Sequence, residues 1–380
     1  MRQQIYNWAA SLLPRPKMKE ANDVQIIKLS AIPSSFLPKL FHVFEKHRVY
    51  GCSFALFNQD SISLHVTYGQ ANKENRVTPE TFFRVASVSK MITAACVMRL
   101  HQEGILNIDD DVRPYLPKGE TIKRPITLRG MMTHTAGFRD GPSYHRLVGT
   151  SARTEELMQD ENTQPEVRYP SWEYSNLGAG LIAIVLESVM DKSFEVILQE
   201  HLFKPLQIQA SFYPQHIPGI LADAYQAFPF NSTPRFNASE RMARSDEGWN
   251  TVDVSKHYTL AQGNCCTDMK GMVAISQALM IPGFLTDETL KSMQHEYATF
   301  GVRDARLRQG IGLFIVKDTS LAPQTLYGHQ GLAYGAVHGA FFDVEQKNGF
   351  AFMTSGASLA KRGVLTEVNE DLIRLWQTIV

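Results

Sequence analysis

The hydrophobic positions of this 380-residue chain change period along its length, and the changes mark out elements. Over residues 34–47, Phe36, Leu37, Leu40, Phe41, Val43 and Phe44 recur at the spacing of one helical face, which predicts an amphipathic helix. Residues 51–57 and 61–68 are apolar runs joined by Asn58-Gln59-Asp60 and read as two strands and a turn. A helix follows from about 88 to 103 and stops at Gly104. The middle third predicts helices at 177–190, 194–203, 267–280 and 288–295. Residues 218–257, rich in Pro, Asn, Ser and charge, read as a long irregular excursion, and such loops more often wall a site than idle as linkers. Strand signals return only at 311–316, 335–344 and 349–354, before a final helix over about 358–379.

Strands near both ends with helices between them predict one sheet assembled from the two termini. The expected class is α/β in the α+β sense: an antiparallel sheet flanked by helices, with an inserted helical lobe. On this division residues 1–20 are a tail, 21–104 with 306–380 form an α/β catalytic lobe, and 105–305 form the helical lobe. The cleft between lobes is the natural place for a site.

Charge narrows the partners. Lys and Arg number 38, as do Asp and Glu, so the chain has no basic surplus with which to hold a phosphate backbone, and Arg15, Lys17 and Lys19 are a small isolated cluster. No nucleic acid partner is expected. No apolar run approaches the ~18–20 residues of a membrane helix, so no membrane span is expected either. The start, from Met1 to Pro14, imitates a signal peptide only faintly, being short and broken by Asn7. It reads as a tail or short amphipathic helix packing Trp8 and Leu12 on the body. A cytoplasmic location is the expectation, or a periplasmic or secreted one if a leader has been removed. Cys52, Cys96, Cys265 and Cys266 contain no Cys-x-x-Cys pair, and the adjacent two are expected to pack at the start of a helix. The twelve His show no metal-ligand spacing and no glycine-rich phosphate loop exists, so neither metal nor cofactor is expected. Asp109-Asp110-Asp111 reads as turn chemistry.

Three clusters carry candidate chemistry. In Phe83-Arg84-Val85-Ala86-Ser87-Val88-Ser89-Lys90, Ser87 stands where an extended segment turns into a helix, and Lys90 lies one turn later over the same face. A serine hydroxyl is a poor nucleophile until a base takes its proton. A neutral amine one turn away can do so, and burial and the positive end of a helix both lower a lysine's pKa. The same helix N-terminus offers N–H groups to an oxyanion. The alternative for Ser87 is a helix N-cap. A second Ser-x-x-Lys, Ser358-Leu359-Ala360-Lys361, has almost no chain after it to supply partners. In Tyr174-Ser175-Asn176, a tyrosine and an asparagine two apart can face one cleft: Tyr174 as base or proton relay if cations lower its pKa, Asn176 as an amide that both donates and accepts. The alternative is an Asn N-cap beside a packed Tyr. In Tyr327-Gly328-His329-Gln330-Gly331-Leu332, on or beside a late strand, small residues let a ligand approach the backbone, and His329 adds a donor or partial positive charge. The alternative is a surface His in a Gly-rich turn. Gly51-Cys52-Ser53-Phe54-Ala55 nearly matches a nucleophile elbow, but it sits inside a predicted strand with no helix following.

The order Ser-x-x-Lys, Tyr-x-Asn, His-x-Gly resembles the serine β-lactamase-related family: class C β-lactamases, D-Ala-D-Ala carboxypeptidases and family VIII esterases, with their β-lactamase/transpeptidase-like fold. The resemblance runs from about Leu40 to the C-terminus. Leu106–Asp111 with Tyr115-Leu116-Pro117, Ile126–Arg129 with Thr133-His134-Thr135-Ala136-Gly137, and Ala261-Gln262-Gly263 with Thr267 and Met269 are similar to its accessory stretches. The resemblance implies an acyl-enzyme on Ser87, proton traffic shared by Lys90 and Tyr174, and an acyl side held by Asn176. It also implies an oxyanion hole from the N–H groups of Ser87 and Leu332, with Gly331 before it. His329 stands where class C enzymes usually carry Lys. That departure weakens the case for a β-lactam; with no convincing leader, and cell-wall and antibiotic substrates lying outside the cytoplasm, a small-molecule or peptide substrate with a carboxylic ester or peptide-like amide is expected ahead of one. The competing expectations are a true class C-type β-lactamase or D-Ala-D-Ala carboxypeptidase, and, from another class, a non-catalytic penicillin-binding-like module. Residues 139–145 and 218–257 are the expected cleft walls.

Overall fold

The apolar runs at both ends of the chain are rungs of one nine-stranded antiparallel sheet in a computed structural model that describes residues 24–29, 32–163, 172–226, 234–244 and 248–380. The strands are β1 (Val24–Leu29), β2 (Gly51–Asn58), β3 (Ile62–Gly69), β4 (Ala298–Thr299), β5 (Leu307–Gln309), β6 (Phe314–Val316), β7 (Leu326–Ala333), β8 (Ala336–Asp343) and β9 (Asn348–Gly356). Their spatial order is β1-β3-β2-β9-β8-β7-β6-β5-β4, with Phe54 opposite Phe352 where the first and last parts of the chain meet. The expected N-terminal tail, with Trp8 and Leu12, lies outside the described residues.

The central strands of the sheet are buried on both faces. Phe54, Leu56, Phe341, Phe350 and Phe352 pack into a cluster with the helices α1 (Phe36–Lys46) and α5 (Glu367–Trp376). Ala55, Phe57, Ala340, Phe342, Ala351 and Met353 pack on the other side with α2 (Val88–Gln102) and α4 (Met269–Met280). A strand covered on both sides reads as a continuous apolar run, which is why β2 shows no polar alternation. The carboxylate of Asp371 ties the last helix to the first, accepting from His47 Nε2 at 2.7 Å and Lys46 Nζ at 2.5 Å.

Between β3 and β4 no described residue joins this sheet. That stretch includes α3 (Asn176–Met190) and a second, three-stranded sheet in which Cys266–Thr267 lies between Phe83–Arg84 and Ala210–Ser211. The second sheet fixes Phe83–Arg84, just before Ser87, against Cys266–Thr267 far along the chain.

Several expectations are corrected. Cys265 and Cys266 do not start a helix; Cys266 is in the short strand, both are buried, and α4 begins at Met269, capped by Asp268. The final helix is ten residues, not twenty-two, because Lys361–Arg362 and Leu365–Thr366 form a hairpin first. Its turn residue Gly363 has φ 63°, and a β-carbon there would meet the Asp304 carboxylate at 2.4 Å. The helix expected over 194–203 is α-helical only at Phe194–Leu198 and then widens into a π turn at Gln199–Phe203. The described part of 218–257 is irregular apart from the short helix Ala238–Met242, isolated bridges at Leu221 and between Ala224 and Phe236, and His257, which opens a 3-10 turn.

Candidate active site

Ser87 stands on a turn held from three directions. Phe83–Arg84 pairs with Cys266–Thr267, and Val85 N donates to Cys265 O at 2.9 Å. Ala86 then takes φ 49°, a left-handed conformation that costs energy for a residue with a β-carbon and persists only where the surroundings impose it. The third support is β7. A β-carbon at Gly331 would fall 2.3 Å from Val85 O, 3.1 Å from Ser87 N and 3.2 Å from Ala86 Cβ, so only glycine lets this strand lie against the turn.

The N-cap alternative for Ser87 does not describe the molecule. Ser87 precedes α2, yet its side chain makes no capping hydrogen bond. Its hydroxyl is instead 3.2 Å from Lys90 Nζ. The Asn-cap alternative fails in the same way. Ser175 caps α3, accepting from Gly178 N at 2.9 Å, which leaves the Asn176 amide for other partners. Nor is His329 on the surface: it is 1 % exposed in β7, its ring 4.1 Å from that of Phe314.

Lys90 belongs to a helix buried all round, so its ammonium has little water. Burial lowers its pKa from 10.5 to about 7; the Asp140 carboxylate resists the shift and the Arg84 guanidinium assists it. At neutral pH a large fraction of Lys90 is therefore the free amine. Besides Ser87, its Nζ is 2.8 Å from Asn176 Oδ1 and 2.6 Å from the Gln262 carbonyl oxygen. Both are acceptors that take N–H, so a neutral amine spends its two hydrogens on them and directs its lone pair at the Ser87 hydroxyl.

Tyr174 completes this group. Lys90 Nζ is 5.1 Å from the centre of its ring, and the His134 ring lies 4.4 Å from it on centroids. Burial raises the Tyr174 pKa, the neighbouring Ser87 hydroxyl opposes the rise, and Asp140 adds to it. The phenol therefore keeps its proton, so the condition for Tyr174 to serve as a base, a pKa lowered by cations, is not met; a neutral hydroxyl relays a proton but does not act as an anionic base.

Two histidines flank the amine, both uncharged at neutral pH. Burial, then the charges of Lys90 and His329, push His134 well below its ordinary value. His134 Nδ1 accepts from Ser175 N at 3.2 Å, so its proton is on Nε2. Burial and the Lys90 charge lower His329 to about 3, against a hydrogen bond to the Gln330 carbonyl oxygen at 2.6 Å. Gln330, between His329 and Gly331, turns to the other face of the sheet, where its side chain meets Val364 O and Thr366 N.

Ser87, Lys90, Tyr174 and Asn176 are thus drawn together by direct contacts, and His329 and Gly331 adjoin them from β7; Leu332 follows Gly331 and is half-buried. The expected walls contribute as well. From 139–145 come Asp140, at the head of α3, and Tyr144, whose hydroxyl donates to the Gln262 side chain. From 218–257 comes Phe236, which with Tyr334 brackets the Arg84 guanidinium at 5.8 and 5.2 Å. Asp140 and the Gln262 carbonyl were missed as parts of the site. The rejected serines stay apart: Ser53 is inside β2, bonded to His65 Nε2 at 2.8 Å, and Lys361 of the second Ser-x-x-Lys is an exposed strand residue. Among the described residues no group of three or more His, Cys, Asp and Glu is gathered closely enough to hold a metal ion, and no helix is long and apolar enough to cross a membrane.

A family model described as Beta-lactamase matches residues 36–373. The putative penicillin-binding protein PbpX of Bacillus subtilis (strain 168) is 30% identical over 154 residues, covering 38% of this chain and 37% of that protein. The chain spans about two fifths of the length of the curated relatives it matches. Among solved structures, D-amino acid amidase from Ochrobactrum anthropi SV3 superposes with a TM-score of 0.69 at 20% identity, over 91% of this chain and 99% of that one. EstCE1, a hydrolase with promiscuous acyltransferase activity, superposes with a TM-score of 0.69 at 19% identity, over 90% and 98%. At these identities the structural likeness is one of fold.

Proposed function

The chain belongs to the Beta-lactamase family, and from that membership and the cleft geometry we propose that it is a serine acyl hydrolase working through an ester on Ser87. The observation that carries the proposal is the Ser87 hydroxyl, unused as a helix cap, 3.2 Å from a buried lysine whose pKa is about 7.

In the first step Ser87 Oγ attacks the acyl carbon while its proton passes to the lone pair of Lys90. The carbonyl electrons move onto oxygen, held by the N–H groups of Ser87 and Leu332. Collapse breaks the bond to the leaving alcohol or amine, which takes the proton back from Lys90 through the Tyr174 hydroxyl. Water then attacks the ester, loses its proton along the same route, and releases the acid and Ser87. One amide hydrogen of Asn176 is engaged by Asp140, and the other is available to the acyl side. In this reading residues 21–104 with 306–380 are the catalytic lobe and 105–305 the second wall.

A carboxylic ester or peptide-like amide fits better than a β-lactam. A β-lactam carries a carboxylate that favours a fixed cation, and the neutral, buried His329 does not supply one. The test is a turnover panel on one preparation: a short-chain p-nitrophenyl ester, a D-amino acid amide, a D-Ala-D-Ala peptide and a chromogenic cephalosporin. Turnover of the ester or amide ahead of the cephalosporin is expected. Cephalosporin turnover above the others would favour a β-lactamase, and no turnover of any would favour a non-catalytic binding module.

A further inference from the structure

Asp140 receives four hydrogen bonds where α3 begins. Its Oδ1 accepts from Ser175 Oγ at 3.1 Å and Leu177 N at 3.0 Å, and its Oδ2 from Asn176 N at 3.1 Å and Asn176 Nδ2 at 2.8 Å. A carboxylate beside the N–H groups of a helix start would by itself be ordinary capping. The fourth bond is different, because it is made to a side chain that also faces Lys90.

An ionised carboxylate only accepts, so it fixes which end of the Asn176 amide it meets. With Nδ2 held by Asp140, Oδ1 is turned to Lys90 Nζ at 2.8 Å. We propose that Asp140 is a positioning residue for the acyl-transfer step: by locking the Asn176 amide it directs the lone pair of Lys90 at the Ser87 hydroxyl. If the amide rotated by half a turn, Nδ2 would face Lys90. The amine would then meet a donor, give its lone pair to Asn176, and leave the Ser87 proton without a base. The inference rests on Ser87 and Lys90 acting as nucleophile and base.

The groups facing Lys90 are Arg84 before α2, Asp140 and His134 from the 133–140 loop, Tyr174 and Asn176 at α3, Gln262, and His329 from β7. Of these only Asp140 places a negative charge near the amine. Replacing it by Asn has two separable effects. Loss of the charge lowers the pH at which Lys90 becomes neutral. Loss of the lock misdirects the lone pair and slows proton removal at every pH.

The experiment is the rate of Ser87 modification by a fluorophosphonate as a function of pH, with melting temperature measured in parallel. The wild type is expected to rise through an inflection near pH 7. Asp140→Asn is expected to show a plateau lower by at least ~30-fold, short of the ~100- to 10,000-fold of losing the general base itself, and an inflection at lower pH. Adding Asp140→Asn to Asn176→Ala is expected to lower the plateau by less than ~3-fold more, because coupled residues are non-additive. An unchanged inflection and plateau in a folded Asp140→Asn would overturn the proposal, as would full additivity in the double variant. If Asp140→Asn fails to fold, Asp140→Glu, which keeps the charge and displaces the lock, is expected to lower the plateau without lowering the inflection; a wild-type plateau would overturn the proposal. Failure of the underlying reading looks different: the wild type itself would show no labelling or no inflection.

Discussion

Gly331→Ala perturbs the closest backbone approach in the candidate site. The added methyl would fall 2.3 Å from Val85 O, 3.1 Å from Ser87 N and 3.2 Å from Ala86 Cβ. Carbon and oxygen require roughly 3.3 Å, so strand and turn must separate by about 1 Å. Neither side yields easily. The turn is pinned by Val85 N to Cys265 O, and β7 is paired with β6 and β8. The gap opens between the N–H groups of Ser87 and Leu332, the proposed oxyanion donors. A 1 Å misplacement costs about 100-fold, and loss of one oxyanion donor about 100- to 1,000-fold in kcat. Overpacking lowers stability by ~1–3 kcal/mol. The assay is kcat and KM for a short-chain p-nitrophenyl ester beside a thermal melt, with Gly339→Ala as a matched control. That methyl meets Asn369 Oδ1 of α5 at 2.4 Å, on the face away from Ser87, so it should lower Tm while leaving kcat within about threefold. A folded Gly331→Ala with kcat within threefold of wild type would mean that the approach of β7 to the Ser87 turn does not set the oxyanion geometry.

Lys90→Ala should lower kcat/KM by at least ~100-fold and abolish the rise with pH near 7 that the wild type should show; an inflection persisting in the variant would assign it to another group. The sign follows from burial: below about 7 Lys90 holds its proton and cannot act as base, so activity falls on the acid side. Tyr174→Phe removes the hydroxyl proposed to relay the proton but keeps the ring against Lys90 and His134. A kcat loss of ~10- to 100-fold with little change in Tm is expected, read by steady-state kinetics and calorimetry. Asp371→Asn breaks the link between α5 and α1 and should cost about 1–2 kcal/mol at pH 7 by denaturant titration, discounted for the half-exposed Lys46. Against the push of burial, hydrogen bonds from His47 and Lys46 hold the Asp371 carboxyl well below 3.8. Its contribution is therefore present above the unfolded value and is lost as pH falls through the folded one, so the difference between variant and wild type should shrink in acid.

How far the sequence reaches depends on whether a signal is local. The helices α1, α2 and α3 and the strands β2, β3, β8 and β9 were legible because their apolar runs and stop signals are contiguous. β7 was marked only as a place on or beside a strand, because Gly328, His329, Gln330 and Gly331 break the apolar pattern. Those residues are small or polar because the strand lies against the Ser87 turn on one face and binds the 364–366 hairpin on the other. The overlong final helix has a similar origin: Gly363 turns a hairpin closed by Asp304, sixty residues upstream of Val364, and nothing local to the chain marks that turn. Ser87, Lys90, Tyr174 and Asn176 carried spacing and residue type. Asp140 did not, since its meaning is its distance from Asn176, thirty-six residues away. The Gln262 carbonyl could not be read at all, because a backbone oxygen leaves no mark in the sequence.

The most direct test of an acyl-enzyme on Ser87 is the site of covalent capture. The protein is treated with a fluorophosphonate, its intact mass is measured, and the modified peptide is sequenced. One adduct per chain is expected, on Ser87, abolished in Ser87→Ala. An adduct on any other residue, or one that persists in Ser87→Ala, would contradict it.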